Sequence, residues 1–128
     1  MKFELTKVPG AVQAGSGDQI EELQSLLGAL SPDEPFQLWI SKGDGESMCV
    51  LANAQYAYVS MLLPDDDCLV VVNPEKPEAS GLTPIYLENG QLDEMEIRRC
   101  VPRAVGLEVG LDYFRTGRPS RHLTWISG

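Results

Sequence analysis

Between residues 36 and 72 the chain is a succession of short apolar runs cut by turn-forming residues, and this arrangement restricts the fold more than any other feature. Phe36-Gln37-Leu38-Trp39-Ile40 and Met48-Cys49-Val50-Leu51 flank the segment Ser41 to Glu46, whose glycines permit the positive φ angles of a tight hairpin. Tyr56 to Leu63 and Cys68 to Val72 repeat the pattern around Pro64-Asp65-Asp66-Asp67, with the acids exposed at the turn. Four sequential strands in an antiparallel meander follow from this spacing.

The flanking segments add helices and further strands. Phe3 to Val8 alternates weakly and ends at Pro9-Gly10, so it reads as a strand followed by a flexible turn through Gly15-Ser16-Gly17. A helix then begins, capped by Ser16 or Asp18, with Glu21 and Glu22 at its positive end and Ile20, Leu23, Leu26, Leu27 and Leu30 on one face. Asn73 to Thr83 carries Pro74, Pro77 and Gly81 and reads as a loop. It precedes a strand at Pro84 to Leu87, the turn signal Asn89-Gly90 and another strand from about Glu94 to Val101. Pro102 suits the first turn of a second helix, along which Ala104, Leu107, Leu111 and Phe114 share a face, and Gly117 suits its C-terminal cap. Leu123 to Ile126 closes the chain as a strand. The expected fold class is α+β: a mainly antiparallel sheet of about six or seven strands with two helices packed on one face.

With 128 residues, 43% of them hydrophobic, the chain can close one sizeable core, so a single domain over 1–128 is expected. No run of about 18 uncharged apolar residues occurs, and the first residues reach a charge before any signal-peptide apolar region could form. The expectation is a protein that stays in the cytoplasm. Cys49, Cys68 and Cys100 are widely spaced and odd in number, which fits a reducing compartment and buried thiols better than a disulfide framework.

The net charge of -9 repels nucleic-acid phosphates and anionic membranes, so basic partners are the natural counterparts. All six arginines lie beyond residue 97, in a segment that holds only two of the nineteen acids. Such asymmetry marks a binding face or holds the C-terminal elements against the acidic remainder.

Catalytic signatures are sparse. The single histidine, His122, stands beside Arg121 at the entry to a strand and reads as a surface residue. Asp65, Asp66 and Asp67 are adjacent and so do not point at one metal centre, and the spacing of a calcium loop is missing. Gly15-Ser16-Gly17-Asp18 lacks the lysine ending of a phosphate loop and the third glycine of a dinucleotide site. No nucleophile elbow or deaminase motif is present. No catalytic residue, metal or cofactor is therefore assigned, and a non-enzymatic role is expected.

In the C-terminal third, Leu111-Asp112-Tyr113-Phe114, then Thr116-Gly117-Arg118-Pro119, then Leu123-Thr124-Trp125 resembles the Imm1 immunity proteins of bacterial polymorphic toxin systems. In those proteins an amphipathic helix ends in phenylalanine and a short turn leads to a strand bearing tryptophan. Pro84 to Leu87, Asn89-Gly90, Asp93-Glu94 and Val101-Pro102 follow the same order, so the likeness covers residues 84 to 126, while the first 80 residues match in layout alone. The resemblance implies a protein encoded beside a toxin gene that binds the toxin domain, often a nucleic-acid deaminase delivered by contact-dependent or type VI routes, and blocks it.

Phe114, Gly117, Pro119 and Trp125 have structural explanations as core anchor, helix cap, turn and core anchor. For contact with a basic toxin the candidates are the acids at the turns: Asp44 and Glu46, then Asp65, Asp66 and Asp67, then Asp93 and Glu94. Two other roles suit a small acidic chain. One is a secretion-system adaptor or chaperone that holds an effector without silencing it, and the other is a small enzyme or ligand-binding domain with a carboxylate pocket.

Overall fold

The computed structural model describes residues 1–87 and 90–128. Ten strands and two helices are present among them. They run in the order β1 (Lys2–Lys7), β2 (Val12–Gly17), α1 (Ile20–Gly28), β3 (Phe36–Ser41), β4 (Ser47–Ala52), β5 (Tyr56–Leu62), β6 (Cys68–Val71), β7 (Leu82–Tyr86), β8 (Leu92–Glu96), β9 (Val101–Pro102), α2 (Arg103–Thr116) and β10 (Trp125–Ser127). The fold is α+β, as the sequence pattern indicates, with more strands than the six or seven expected.

The main sheet has the order β10-β6-β5-β4-β3-β1-β2, with β9 paired to the start of β5 and every pairing antiparallel. Strands β3 to β6 form the meander read from the sequence. Its register aligns Leu5, Leu38, Val50 and Val59 in one transverse row across four strands, all fully buried. Phe3, Ile40, Met48 and Met61 make the next row. Complete burial of such side chains contributes about 2 kcal/mol each, so a one-residue slip in register, which would turn both rows to the other face, is strongly disfavoured.

Helix α2 lies on this face. Its buried residues are Gly106, Val109, Gly110, Tyr113 and Phe114, which corrects the face expected from Ala104, Leu107 and Leu111: Ala104 is exposed and the two leucines are half-buried. Glycines give no apolar signal, yet they seat the helix. A Cβ on Gly106 would overlap that of Ala57, and one on Gly110 would lie 3.3 Å from Leu38. Phe114 packs edge-on against Phe3 with ring centroids 5.9 Å apart. Gly117, at φ 71°, ends the helix in the left-handed cap expected of it. Helix α1 packs beside α2 over the β2 edge and fully buries Leu23 alone. Gln19 takes the N-cap position without a side-chain hydrogen bond, so neither Ser16 nor Asp18 caps the helix as expected.

The opposite face of the sheet is partly covered by β7 and β8, which form a separate two-stranded sheet. Ile85 from this ribbon joins Cys49 and Leu51 in a second apolar cluster, flanked by Trp39, Tyr58, Leu87 and Met95. Two asparagines secure the connections. The Asn53 amide donates to Thr83 Oγ1 at 2.8 Å and to the Pro84 carbonyl at 2.7 Å, and the buried Asn73 amide donates to the Ile97 carbonyl at 3.1 Å.

Two further expectations are corrected. Residues 12–17 form the edge strand β2 where a flexible turn was expected, because backbone pairing with β1 supplies what their small, polar side chains do not signal. The strand expected over 94–101 is broken by a 3-10 turn at Ile97–Arg99, so that β8 belongs to the small ribbon and β9 to the main sheet. Of the turn signal Asn89-Gly90, Asn89 lies outside the described residues.

Gly106→Val should destabilise the fold by about 3 kcal/mol, the upper range for overpacking a filled core. Gly28→Ala, where an added Cβ meets nothing within 4 Å, should stabilise it by about 0.5–1 kcal/mol. Urea denaturation monitored by tryptophan fluorescence measures both changes.

Candidate protein-binding surface

The β3–β4 and β5–β6 turns project from the same end of the sheet and touch: a Cβ built on Gly45 lies 3.4 Å from Pro64 Cβ. In the first turn Gly43 and Gly45 have φ of 84° and 91°. Between them Asp44 accepts the Glu46 backbone N–H at 3.0 Å and has Lys42 Nζ at 3.7 Å. The Glu46 amide, with help from Lys42, holds the Asp44 carboxyl below its ordinary value. In the second turn Asp66 adopts φ 67°, and the Leu63 amide donates to the Asp67 carbonyl at 2.9 Å. Asp65, Asp66 and Asp67 are all exposed. The Asp65 carboxylate also accepts the Asp67 backbone N–H at 3.5 Å, an Asx-type contact within the turn.

Glu46 behaves differently from its neighbours. Its side chain is 17% exposed against 54% for Asp44, and its carboxylate accepts the Tyr113 hydroxyl at 2.9 Å while lying 3.7 Å from Lys42 Nζ. The carboxylate is therefore turned inward, joining the first hairpin to the C-terminal part of α2. That sets it apart from the exposed acids with which it was grouped as a contact candidate. Tyr113 is fully buried, and burial first, then the Glu46 carboxylate, raises its phenol well above the ordinary tyrosine value.

Asp93 and Glu94 are exposed but belong to β8, opposite Ile85 and Pro84 in the separate ribbon. Besides its packing through Ile85, that ribbon is tied to the main body at Asn53, which follows β4 at the end of that strand away from the first acidic turn. The structure thus brings together Asp44, Asp65, Asp66 and Asp67, and separates Asp93 and Glu94 from them.

The residues of the C-terminal motif are mostly interior supports. Phe114 is buried, Gly117 caps α2, and Pro119 is half-buried in the turn that follows. Trp125 is half-buried and packs against the core from the short edge strand β10; its indole N–H donates to the Ser120 carbonyl at 3.1 Å. His122 is exposed. Among the described residues no three histidine, cysteine, aspartate or glutamate side chains are grouped to hold a metal ion. All three cysteines are thiols, and burial pushes the Cys100 thiol up to about 12, which keeps it protonated and unreactive at neutral pH.

Sequence reading missed Arg103. Its guanidinium lies 5.0 Å over the Phe36 ring and donates to the carbonyls of Glu34 at 2.8 Å, Asn53 at 2.7 Å and Ser31 at 3.3 Å. It secures the start of α2 and the loops around it. Only the excess of arginine over lysine near the C-terminus hinted at such a role, since a planar fork of donors suits several carbonyls at once.

Compared with protein-family models and with curated proteins, the chain matches none. Among the described residues no helix is long and apolar enough to cross a membrane.

Tyr113→Phe should cost about 1 kcal/mol at neutral pH through loss of the hydrogen bond to Glu46. The raised phenol of Tyr113 binds its proton more tightly folded than unfolded, so its contribution to stability is intact below pH 10 and declines as pH rises through the folded value. In an alkaline absorbance titration of phenolate, Tyr113→Phe should remove the last tyrosine to ionise. A thiol reagent at pH 8 should label Cys68 before Cys49 and Cys100, which are buried.

Proposed function

We propose that this protein is a cytoplasmic immunity protein that binds a cognate toxin domain of basic surface, encoded beside its own gene, and blocks its activity by covering the active site or substrate surface. The observation that carries the reading is the meeting of two acidic turns at one end of the sheet, where Asp44, Asp65, Asp66 and Asp67 are presented on a braced frame. An exposed cluster of one sign attracts a basic surface at long range and fixes its orientation on docking, which raises the association rate. The bracing matters equally. Hydrogen bonds within each turn and the Tyr113–Glu46 link hold the acidic loops in place before binding, which reduces the ordering entropy lost on association.

The net charge of -9 and the likeness of residues 84 to 126 to Imm1 proteins point to the same class of partner. A toxin acting on nucleic acid needs a cationic substrate groove, and an acidic protein seated there excludes the substrate by charge as well as by bulk. A nucleic-acid deaminase is the toxin class that the likeness favours.

Replacing Asp65, Asp66 and Asp67 together by lysine should weaken binding to the neighbouring toxin domain about 100-fold, with the loss largest at low salt. Replacing Asp93 and Glu94 by lysine should change it by less than about threefold. Calorimetry at two salt concentrations, with toxin activity assayed in parallel, measures both. Tight binding that leaves the toxin active would point instead to a secretion adaptor.

A further inference from the structure

Strand β2 ends the main sheet, so one row of its backbone donors and acceptors faces away from β1, with no strand of the described residues beside it. Sheet edges are ordinarily blunted by charged side chains or proline. The β2 sequence, Val12-Gln13-Ala14-Gly15-Ser16-Gly17, carries neither, although the chain as a whole is rich in charge, and Val12 is 61% exposed. Of the devices that blunt an edge it carries one, a bulge opposite Leu5 and Thr6.

Each side of this edge opens on a cleft. On the helix side a space of about 370 Å³ is bounded by Val12, Ala14, Leu26, Ala29 and Leu30, a mainly apolar floor between β2 and α1 that Lys7 and Gln13 also line. On the open face of the sheet a space of about 520 Å³ is bounded by Glu4, Ser16, Asp18 and Trp39 with Lys2 and Ser41. The pairing of Glu4 with both Ser16 and Trp39 places these three residues side by side on that face. On the helix side, toward which Gly17 faces as the partner of Phe3, the Glu22 carboxylate lies about 3.0 Å from where a Cβ on Gly17 would be. One flank of the edge is therefore mainly apolar, with Lys7 and Glu22 as its charged residues. The other combines carboxylates with an indole, a setting that suits a cationic side chain.

We propose that β2 is the docking edge for an extended basic segment of the partner protein, which adds to the sheet as a further strand. Backbone hydrogen bonds to β2 supply the pairing. Alternate side chains of the added strand then fall on opposite faces, apolar ones against Leu26 and Leu30, and lysine or arginine toward Glu4, Asp18 and Trp39. The inference rests on the reading of the chain as a binder of a basic partner and adds a second element to that interface. The two elements are continuous: Gly17 pairs with Phe3, which pairs with Ile40, one residue before the Ser41 that leads into the first acidic turn.

The test uses an acetylated, amidated hexapeptide of alternating valine and lysine, titrated into the full chain and followed by amide chemical shifts. Three comparison peptides accompany it: one with alternate amides N-methylated, one of alternating glycine and lysine, and one of alternating valine and glutamate. The expected result is saturable shifts centred on residues 12–17. Binding should weaken about tenfold with the N-methylated peptide, and by a similar factor with Ser16→Lys or Val12→Lys, two exposed positions where the change spares the fold. The valine–glutamate peptide should not bind. Lysine at positions 65 to 67 should leave the peptide affinity within about twofold, which separates this edge from the acidic turns even where toxin binding through those turns fails. Any of three results overturns the proposal: no saturable shift at 12–17, equal binding of the glycine–lysine or N-methylated peptide, or shifts at 12–17 that grow with protein concentration alone, which would assign the edge to a second copy.

Discussion

The close seating of α2 on the middle of the sheet is the constraint on which the other features depend. Gly106 and Gly110 remove the side chains that would hold the helix away from Ala57, Leu38 and Val50, so the helix backbone lies directly over the most buried strands. Tyr113 and Phe114 then reach the interior one turn later: Phe114 meets Phe3, and Tyr113 delivers its hydroxyl to Glu46. Arg103 secures the other end of the same helix through three carbonyls. A helix fixed at both ends and recessed at its centre serves as a rigid spine. The acidic turns are held in place because one of them is tied to it.

The meander from β3 to β6 was legible because each strand alternates or runs apolar between glycine, proline and aspartate turns, the period-two signal at its clearest. The C-terminal cap at Gly117 was legible for a similar reason: only a left-handed residue ends a helix in that way. Two features were not. Strand β2 has no apolar alternation, since its existence depends on the backbone of β1 and on space for Leu26 over Gly15. The buried face of α2 was hidden because periodicity counts side chains, and the contact is made where Gly106 and Gly110 have none.

Of the proposed contact residues, charge and turn position identified four that share one end of the molecule, Asp44, Asp65, Asp66 and Asp67. The same criteria also selected Glu46, whose carboxylate is turned inward, and Asp93 and Glu94, which are exposed but lie on the separate ribbon. Glu46 differs from Asp44 by two positions in sequence, yet one faces solvent and the other receives a buried hydroxyl from a residue 67 positions away. No local pattern encodes a partner so distant. Asp93 and Glu94 required knowledge of how the β7–β8 ribbon lies on the sheet, a long-range packing event governed by Ile85 and the cluster around it.

The functional account joins a rigid α+β frame to an acidic end that suits a cationic protein surface. Its central claim is where the partner sits. Hydrogen exchange of the complex with the toxin domain proposed as its partner, read against the isolated protein, tests that most directly. The account predicts protection concentrated on residues 42–46 and 63–67. Protection confined to the β7–β8 ribbon or the outer faces of the helices, with the acidic turns exchanging as in the isolated protein, would contradict it.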